Sequence, residues 1–514
     1  MRFSFYPKLE HDCPNVSHCP HLGGAAIGTV VLLANQTEES REYLFRTIDA
    51  ERKTISELMK ENERLQKELD QVKFELKVER QNKFATNQQK HGDTSDSSKA
   101  GTCASTTAQA KKRGAPVGHP GWYRKTPTEY DWDVDVPPKC CPHCNGHVTI
   151  DDAFDPSEHL QEDIIDGQYR VVLYRHPATC CDDCGEWVQQ PGNGELLGSR
   201  IGPHLRSIAL FLRNVIGISY RKIPQVVAEM FGITFTPGAL IGFEKLVAEL
   251  AEPLVVDIAK KLASSEGAVH ADETYSILDG RRAYFWVHCT TRYVHFSFGT
   301  TRSGKVSRDV LGTDFTGTLV TECYSAYIAH SAGAKQKCLA HLARTARDWK
   351  KLATAGSPDC AFFDAIKEFV KRGCEFHRLR ANGSLDTSEV AAQKQWLREE
   401  LSRLQTWVVS HGKAMTLQAR IVGYCDEWLV FGDDPRVPPT NNLAERALRP
   451  LVVLRKITFG HRQRKGGERM ATLMSIAETA RRHGHRASQI FLALMTHPPN
   501  KVLRQLYAKA KAKA

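Results

Sequence analysis

Asp272, Glu322 and Glu445 are three carboxylates whose surroundings separate them from ordinary surface acids. Asp272 ends a strand-like run starting at Ala268, Glu322 ends another from Gly317, and Glu445 opens a helical segment among basic side chains. Asp279-Gly280 marks a hairpin turn between the first run and Tyr284–His288, and a further run covers Tyr293–Gly299. Hard carboxylate oxygens suit Mg(II) or Mn(II), and three acids on two strands and a helix can hold two such ions about 4 Å apart. Such a pair activates a water or a 3′-hydroxyl and stabilises the leaving oxygen in an in-line phosphoryl displacement. Singly, each acid reads as a solvated charge; together they point to chemistry.

Thiolates form a second constellation. Cys141-Pro-His-Cys144 is followed, 36 residues later, by Cys181-Asp-Asp-Cys184, with Gly146 and Gly185 just beyond each pair. Two such turns on a short β-rich module present four sulfurs at about 2.3 Å to tetrahedral Zn(II), which closes the site and makes its role structural. Cys140 and Cys180 leave open which member of each doublet ligates. A redox motif has no need of a second copy at this spacing. Cys13, His18, Cys19 and His21 form another Cys/His cluster, whose spacing matches no common finger, and Cys338 and His341 stand at CxxH spacing. The last two either orient the acidic site or are simply a packed thiol and a hydrogen-bonded imidazole.

The elements that position these groups are legible along the chain. Apolar residues recur in heptads between Tyr43 and Arg80: Ile48, Ile55, Leu69 and Leu76 share one core position, and Leu44, Leu58, Leu65 and Val72 the other. Asn62 in the middle heptad fixes register in a parallel dimer, so homo-oligomerisation through this coiled coil is expected. Residues 81–126 turn polar and Gly/Pro-rich, a flexible linker with Lys111, Lys112, Arg113, Arg124 and Lys125 around its Gly/Pro portion. Ser219–Met230, Gly232 and Thr236–Val247 have the helix, turn, helix plan of a DNA reader or of plain helical packing. Lys305–Leu311 is helical, and Trp349–Phe431 is a mostly helical stretch between the second and third acids.

At 514 residues the chain is too long for one core. Its composition, 41% hydrophobic and 25% charged with a mean hydropathy of −0.40, excludes fibrous and wholly disordered classes. The longest membrane candidate, Leu22–Ala34, has 13 residues where about 18 are needed, and Met1–His21 lacks the apolar core of a signal peptide. No membrane partner is expected, and the 15 cysteines with two CxxC pairs fit a reducing, cytoplasmic setting. The net charge is +11, whereas residues 441–514 alone hold 16 Lys+Arg and 3 Asp+Glu, a net +13. The excess therefore begins at the third acid, where a polyanionic partner would be held beside bound metal.

With these residues in view, the chain resembles transposases of the insertion sequence 66 family, bacterial DDE enzymes. The resemblance rests on His270-Ala271-Asp272-Glu273-Thr274, Cys338-Leu339-Ala340-His341-Leu342-Ala343-Arg344 and Asn441-Asn442-Leu443-Ala444-Glu445-Arg446-Ala447-Leu448-Arg449-Pro450, with the coiled coil, the paired CxxC module and Lys112-Arg113-Gly114-Ala115-Pro116. It implies a ribonuclease-H-like core in which Asp272 and Glu445 are the first and third acids of a metal-binding triad. The family pattern has Asp at the second place, where Thr321-Glu322-Cys323-Tyr324 puts Glu322. The added methylene moves the oxygens by roughly 1.5 Å, and about 1 Å of misplacement can cost roughly 100-fold in rate.

The fold expected is multidomain α+β. It comprises a Cys/His segment (1–37), a coiled coil (38–82), a basic linker (83–126), a zinc module (127–195), a helix-turn-helix-like segment (196–262), an α/β catalytic core (263–480, helical insertion 349–431) and a basic tail (481–514). The function expected is metal-dependent cleavage and strand transfer of an insertion sequence, with Arg446, Arg449, Arg455 and Lys456 on DNA phosphates. The resemblance further implies nucleoid DNA, element ends and target, as substrate, and accessory proteins of the same element as possible partners. Two alternatives stand beside it: a catalytically impaired, zinc-containing DNA-binding protein, and a general metal nuclease.

Overall fold

Short alternating strands give way to long amphipathic helices after residue 200, and the structure, a computed structural model, follows that change. It describes residues 124–508 and Arg64. The N-terminal Cys/His cluster, the heptads, the linker up to residue 123 and residues 509–514 lie outside the described residues.

The first module contains β1 (Trp132–Asp135), β2 (Val148–Ile150), β3 (Ser157–Ile165), β4 (Gln168–His176) and β5 (Thr179–Cys181). Asp166-Gly167, both at positive φ, close the β3–β4 hairpin as a two-residue turn requires. β1 adds parallel to β4, and β2 pairs antiparallel with β5 to bring the two CxxC turns together.

Helix α1 (Pro203–Phe211) runs into a π-helical turn, Leu212–Ile216, and α2 (Lys222–Phe231) ends at Gly232, whose φ of +70° suits a residue without Cβ. Thr236 caps α3 (Pro237–Ala263) by accepting from the Ala239 amide. This 27-residue helix buries Leu240, Phe243, Val247, Ala251, Leu254, Ile258 and Leu262, so it forms the axis of the main core.

The central sheet begins with β6 (Ala268–Leu278), β7 (Arg281–Cys289) and β8 (Val294–Gly299), an antiparallel meander turned at Asp279-Gly280. Helix α4 (Lys305–Leu311), β9 (Asp314–Thr321), α5 (Ser325–Ile328) and β10 (Ser331–Lys337) follow. The strand order is β10-β9-β6-β7-β8, with β9 parallel to both β6 and β10. Next come α6 (Leu339–Lys350), α7 (Pro358–Ala381), α8 (Thr387–Gln405), α9 (Gly412–Gly423), α10 (Val430–Asp433), α11 (Asn442–Thr458), α12 (Arg464–Arg482), α13 (Ala487–Thr496) and α14 (Pro499–Tyr507). The described residues are thus mixed α/β. Among them no helix is long and apolar enough to cross a membrane.

Alternation along β7 assigns the two faces of the sheet. Phe285 and Val287 pack on α11 and α12, whereas Trp286 enters the core built around α3. Helices α6 to α10 form a third cluster around Phe362, Phe369, Leu397 and Trp428. Residues 201–262 share a continuous core with the sheet, and the expected basic tail contributes Ile490, Phe491, Leu494, Val502 and Leu506 to that core as α13 and α14.

Candidate active site

Strands β6 and β9 pair only over Ala268–His270 against Thr318–Val320. Beyond that they part, opening a cleft at the carboxyl ends of parallel strands, where open α/β sheets bind ligands. Asp272 lies on β6 just past the last pair, and Glu322 follows β9 by one residue. Glu445 lies in the first turn of α11.

Two of the expected acids, Asp272 and Glu322, meet here, and the third, Glu445, stands across His341 from them. Oxygens of Asp272, Glu322 and the neighbouring Glu273 all come within 4.8 Å of one another. His341, on α6, stands between the other two acids, its Nε2 3.5 Å from Glu322 Oε2 and its Nδ1 3.5 Å from Glu445 Oε1. Asp272 is buried, and its Oδ1 accepts from the Glu273 amide at 2.8 Å. Burial, then the nearby Glu273 and Glu322, pushes the Asp272 carboxyl well above the usual carboxylate range. Burial also raises Glu322, against the pull of Arg302. Acids that destabilise each other's ionised forms in a buried cleft are what a divalent cation would relieve. Glu445 Oε1 and His341 Nδ1 are buried without a hydrogen bond, leaving donor atoms unused. The residues present therefore fit a hard divalent ion.

One amide joins the three sequence motifs. Asn441, fully buried at the start of α11, donates to the Ala271 carbonyl at 2.9 Å and accepts from His270 Nδ1 at 3.0 Å, while its backbone N–H donates to Cys338 Sγ at 3.1 Å. Burial lowers His270 to about 4, so its ring is neutral and can donate to the amide oxygen. The strand carrying Asp272, the helix carrying Glu445 and the helix carrying His341 are thereby locked together. Asn441→Ala strands the His270 donor and the Ala271 carbonyl, and should cost about 2–4 kcal/mol in denaturant unfolding and more than tenfold in cleavage rate. An unchanged unfolding midpoint would refute this role.

Glu273 and Arg344, both inside motifs quoted above, join the site, and Arg302 joins it without a sequence signal of its own. Glu273 Oε1 accepts from Arg302 Nη2 at 2.6 Å and Oε2 from the Tyr327 hydroxyl at 2.6 Å. Arg302 lies over the Tyr324 ring at 4.0 Å, and Arg344 approaches Glu445 to 3.5 Å. Period-two alternation turns Glu273 away from Asp272, so only the opening of the sheet brings it in.

Of the expected DNA contacts, Arg446, Arg449 and Lys456 are exposed on α11. The Arg455 guanidinium instead stacks on Tyr275 at 3.6 Å and donates to Thr274 Oγ1 and the Tyr275 carbonyl, which ties α11 to β6.

In the first module Cys141 Sγ lies 3.7 Å from Cys184 Sγ, and Cys144 Sγ 3.4 Å from Cys181 Sγ. Four sulfurs at about 2.3 Å from a tetrahedral ion would stand about 3.8 Å apart, so the set fits zinc. Cys140 and Cys180 point elsewhere, toward Asn145 and backbone carbonyls. Burial works against the Cys141 thiolate, but the Cys144 and His143 amides outweigh it and bring the thiol to about 6.

Residues 198–469, more than half of the chain, match the Transposase IS66 family. The chain belongs to that family. Over 410 residues this IS66 transposase is 23% identical to the uncharacterized protein y4hP of Sinorhizobium fredii, across 70% of this chain and 72% of that one. Membership in a DDE transposase family brings DNA as substrate and a need for divalent metal. The matched span contains all three acids and leaves out the four-cysteine module.

Proposed function

We propose that this transposase cleaves the ends of an insertion sequence and joins them to target DNA, using Asp272, Glu322 and Glu445 as ligands for Mg(II) or Mn(II). The observation that carries the reading is the grouping of Asp272 with Glu322 at the ends of β6 and β9, with Glu445 of α11 on the far side of His341. A ribonuclease-H-like core is part of the proposal, supported by the order β10-β9-β6-β7-β8 with an antiparallel meander and two parallel strands. The bound cations would supply charge neutralisation at the reacting phosphate and an activated hydroxyl. The chain's own groups do the rest. Arg302 and Tyr327 hold Glu273 beside the acids, Arg344 places a cation at the cleft mouth, and Arg446, Arg449 and Lys456 hold the flanking phosphates. His341 spaces Glu322 from Glu445. Zinc on Cys141, Cys144, Cys181 and Cys184 is structural, the heptads of 38–82 pair two copies for two ends, and accessory proteins of the element join them on nucleoid DNA.

The test is strand cleavage and transfer with Mg(II) on duplexes carrying the element's own ends, against scrambled duplexes. Equal cutting of both would leave a general nuclease.

The geometry favours an active enzyme over an impaired one, because Glu322 starts one residue beyond β9 and its longer side chain reaches the cluster. Glu322→Asp should therefore lower cleavage by roughly 10- to 100-fold at unchanged DNA affinity. A sharp rise would revive the impaired reading.

A further inference from the structure

Charge separates the four-cysteine module from the rest of the chain. Residues 127–195 hold 15 Asp+Glu and 3 Lys+Arg, a net −12 in a protein of net +11. Arginines neutralise Asp131, Asp133, Glu158 and Glu162, but Asp152, Asp155, Asp183 and Glu186 are exposed and carry no ion pair among the described residues. Thiolates on a zinc ion would deepen the negative field. DNA binding gains affinity when Lys and Arg neutralise phosphates and free their counterions into solvent, so this acidic surface repels a DNA backbone.

The same module contains a cavity of about 280 Å³ suited to the opposite charge, lined among others by Asp155, His176, Thr179 and Trp187. His176 is only 3% exposed, and its Nε2 lies 2.9 Å from Glu195 Oε1. A carboxylate oxygen accepts, so Nε2 donates to Glu195. That Nδ1 is buried and has no partner. The ring cannot turn to find one, because Glu195 is itself fixed by His159 Nδ1 at 2.6 Å and the Gly192 amide at 2.7 Å. Trp187 is 56% exposed and meets Phe154 edge-on, with centroids 5.5 Å apart. An open indole and an exposed carboxylate with no ion pair among the described residues together select a cationic side chain.

We propose that this cavity binds a lysine or arginine side chain, and that the acidic face around it docks a basic protein segment rather than DNA. The ammonium or guanidinium would lie against Trp187 and neutralise Asp155. The proposal is independent of the catalytic reading, since none of these residues touches the acidic cleft.

A labelled synthetic peptide of residues 108–117, containing Lys111, Lys112 and Arg113, serves as the probe. Its fluorescence anisotropy is titrated with the zinc-loaded full-length protein and with Trp187→Ala and Asp155→Asn variants of matched zinc content. Binding should weaken as salt rises. Each substitution should reduce peptide affinity at least fivefold and leave affinity for a random-sequence DNA duplex within twofold. Asp155 is exposed and unpaired among the described residues, so its variant decides the matter even if Trp187→Ala loses zinc. Failure of the wild-type protein to bind the peptide, or unchanged affinity in Asp155→Asn, overturns the proposal. Equal loss of peptide and duplex affinity also overturns it, by making the face a DNA contact.

Discussion

Asp272→Asn should lower metal-dependent strand cleavage by about 1000-fold or more and yet raise the thermal midpoint of the metal-free protein. The asparagine keeps the shape, and its Oδ1 can still accept the Glu273 amide, so the strand need not move. What disappears is the charge. Burial, with Glu273 and Glu322 close by, raises the Asp272 pKa well above that of an unfolded carboxyl. The folded state therefore holds this proton more tightly than the unfolded state, and stability falls as pH climbs from the unfolded value, near 3.9, toward the folded one. At neutral pH keeping this acid in the folded cluster therefore weighs against folding, and the amide removes that weight. A divalent cation reverses the sign, since it binds only the folded cluster and stabilises it by mass action. Melting curves with and without Mg(II) should thus show a clear gain for wild type and little for Asp272→Asn. A 1000-fold loss corresponds to about 4 kcal/mol of lost transition-state stabilisation. Cleavage by the variant within tenfold of wild type would remove Asp272 from the metal ligands.

The parts of this site that the sequence makes legible are those set by local patterning. Alternation and the Asp279-Gly280 turn locate the meander, and Gly232 and Thr236 bracket the turn before α3. Strand β10 is invisible because Ser331–Lys337 is polar and does not alternate. It forms because tertiary partners satisfy its buried groups: Gln336 bonds the Trp428 carbonyl and the Phe431 amide, and Lys337 lies 3.1 Å from Glu427. The basic C-terminal stretch concealed two helices, since its Lys and Arg dominate the composition while the spacing of Ile490, Leu494, Val502 and Leu506 supplies the core. For the same reason Arg455 reads as a phosphate contact in a list of charges, although Tyr275 has taken it. The acidity of residues 127–195 was countable from the start, but a total of +11 obscured it.

Chelation of zinc should unfold the two cysteine turns and leave the rest of the protein standing. Apart from Cys141 and Cys181, the small core there consists of Val188 with Val148 against it, and β2 and β5 pair over only three residues. One buried valine contributes about 2 kcal/mol, whereas structural zinc sites supply on the order of 10–16 kcal/mol of apparent binding free energy. The neighbouring hairpin is held differently. Strands β3 and β4 pair over nine residues and bury Ile164, Val172 and Leu173, and Asp163 accepts from the amides of His204 and Leu205 at the start of α1. Hydrogen exchange after chelation should therefore lose protection over residues 139–150 and 178–190 and retain it over 157–176. Cys141→Ser should reproduce the pattern with one zinc fewer per chain, whereas Cys140→Ser, whose sulfur lies outside the set, should keep the metal. Loss of zinc from Cys140→Ser would reassign the first doublet. Collapse of the whole chain in one transition would mean that the module and the α3 core are a single cooperative unit, contrary to their separate apolar clusters.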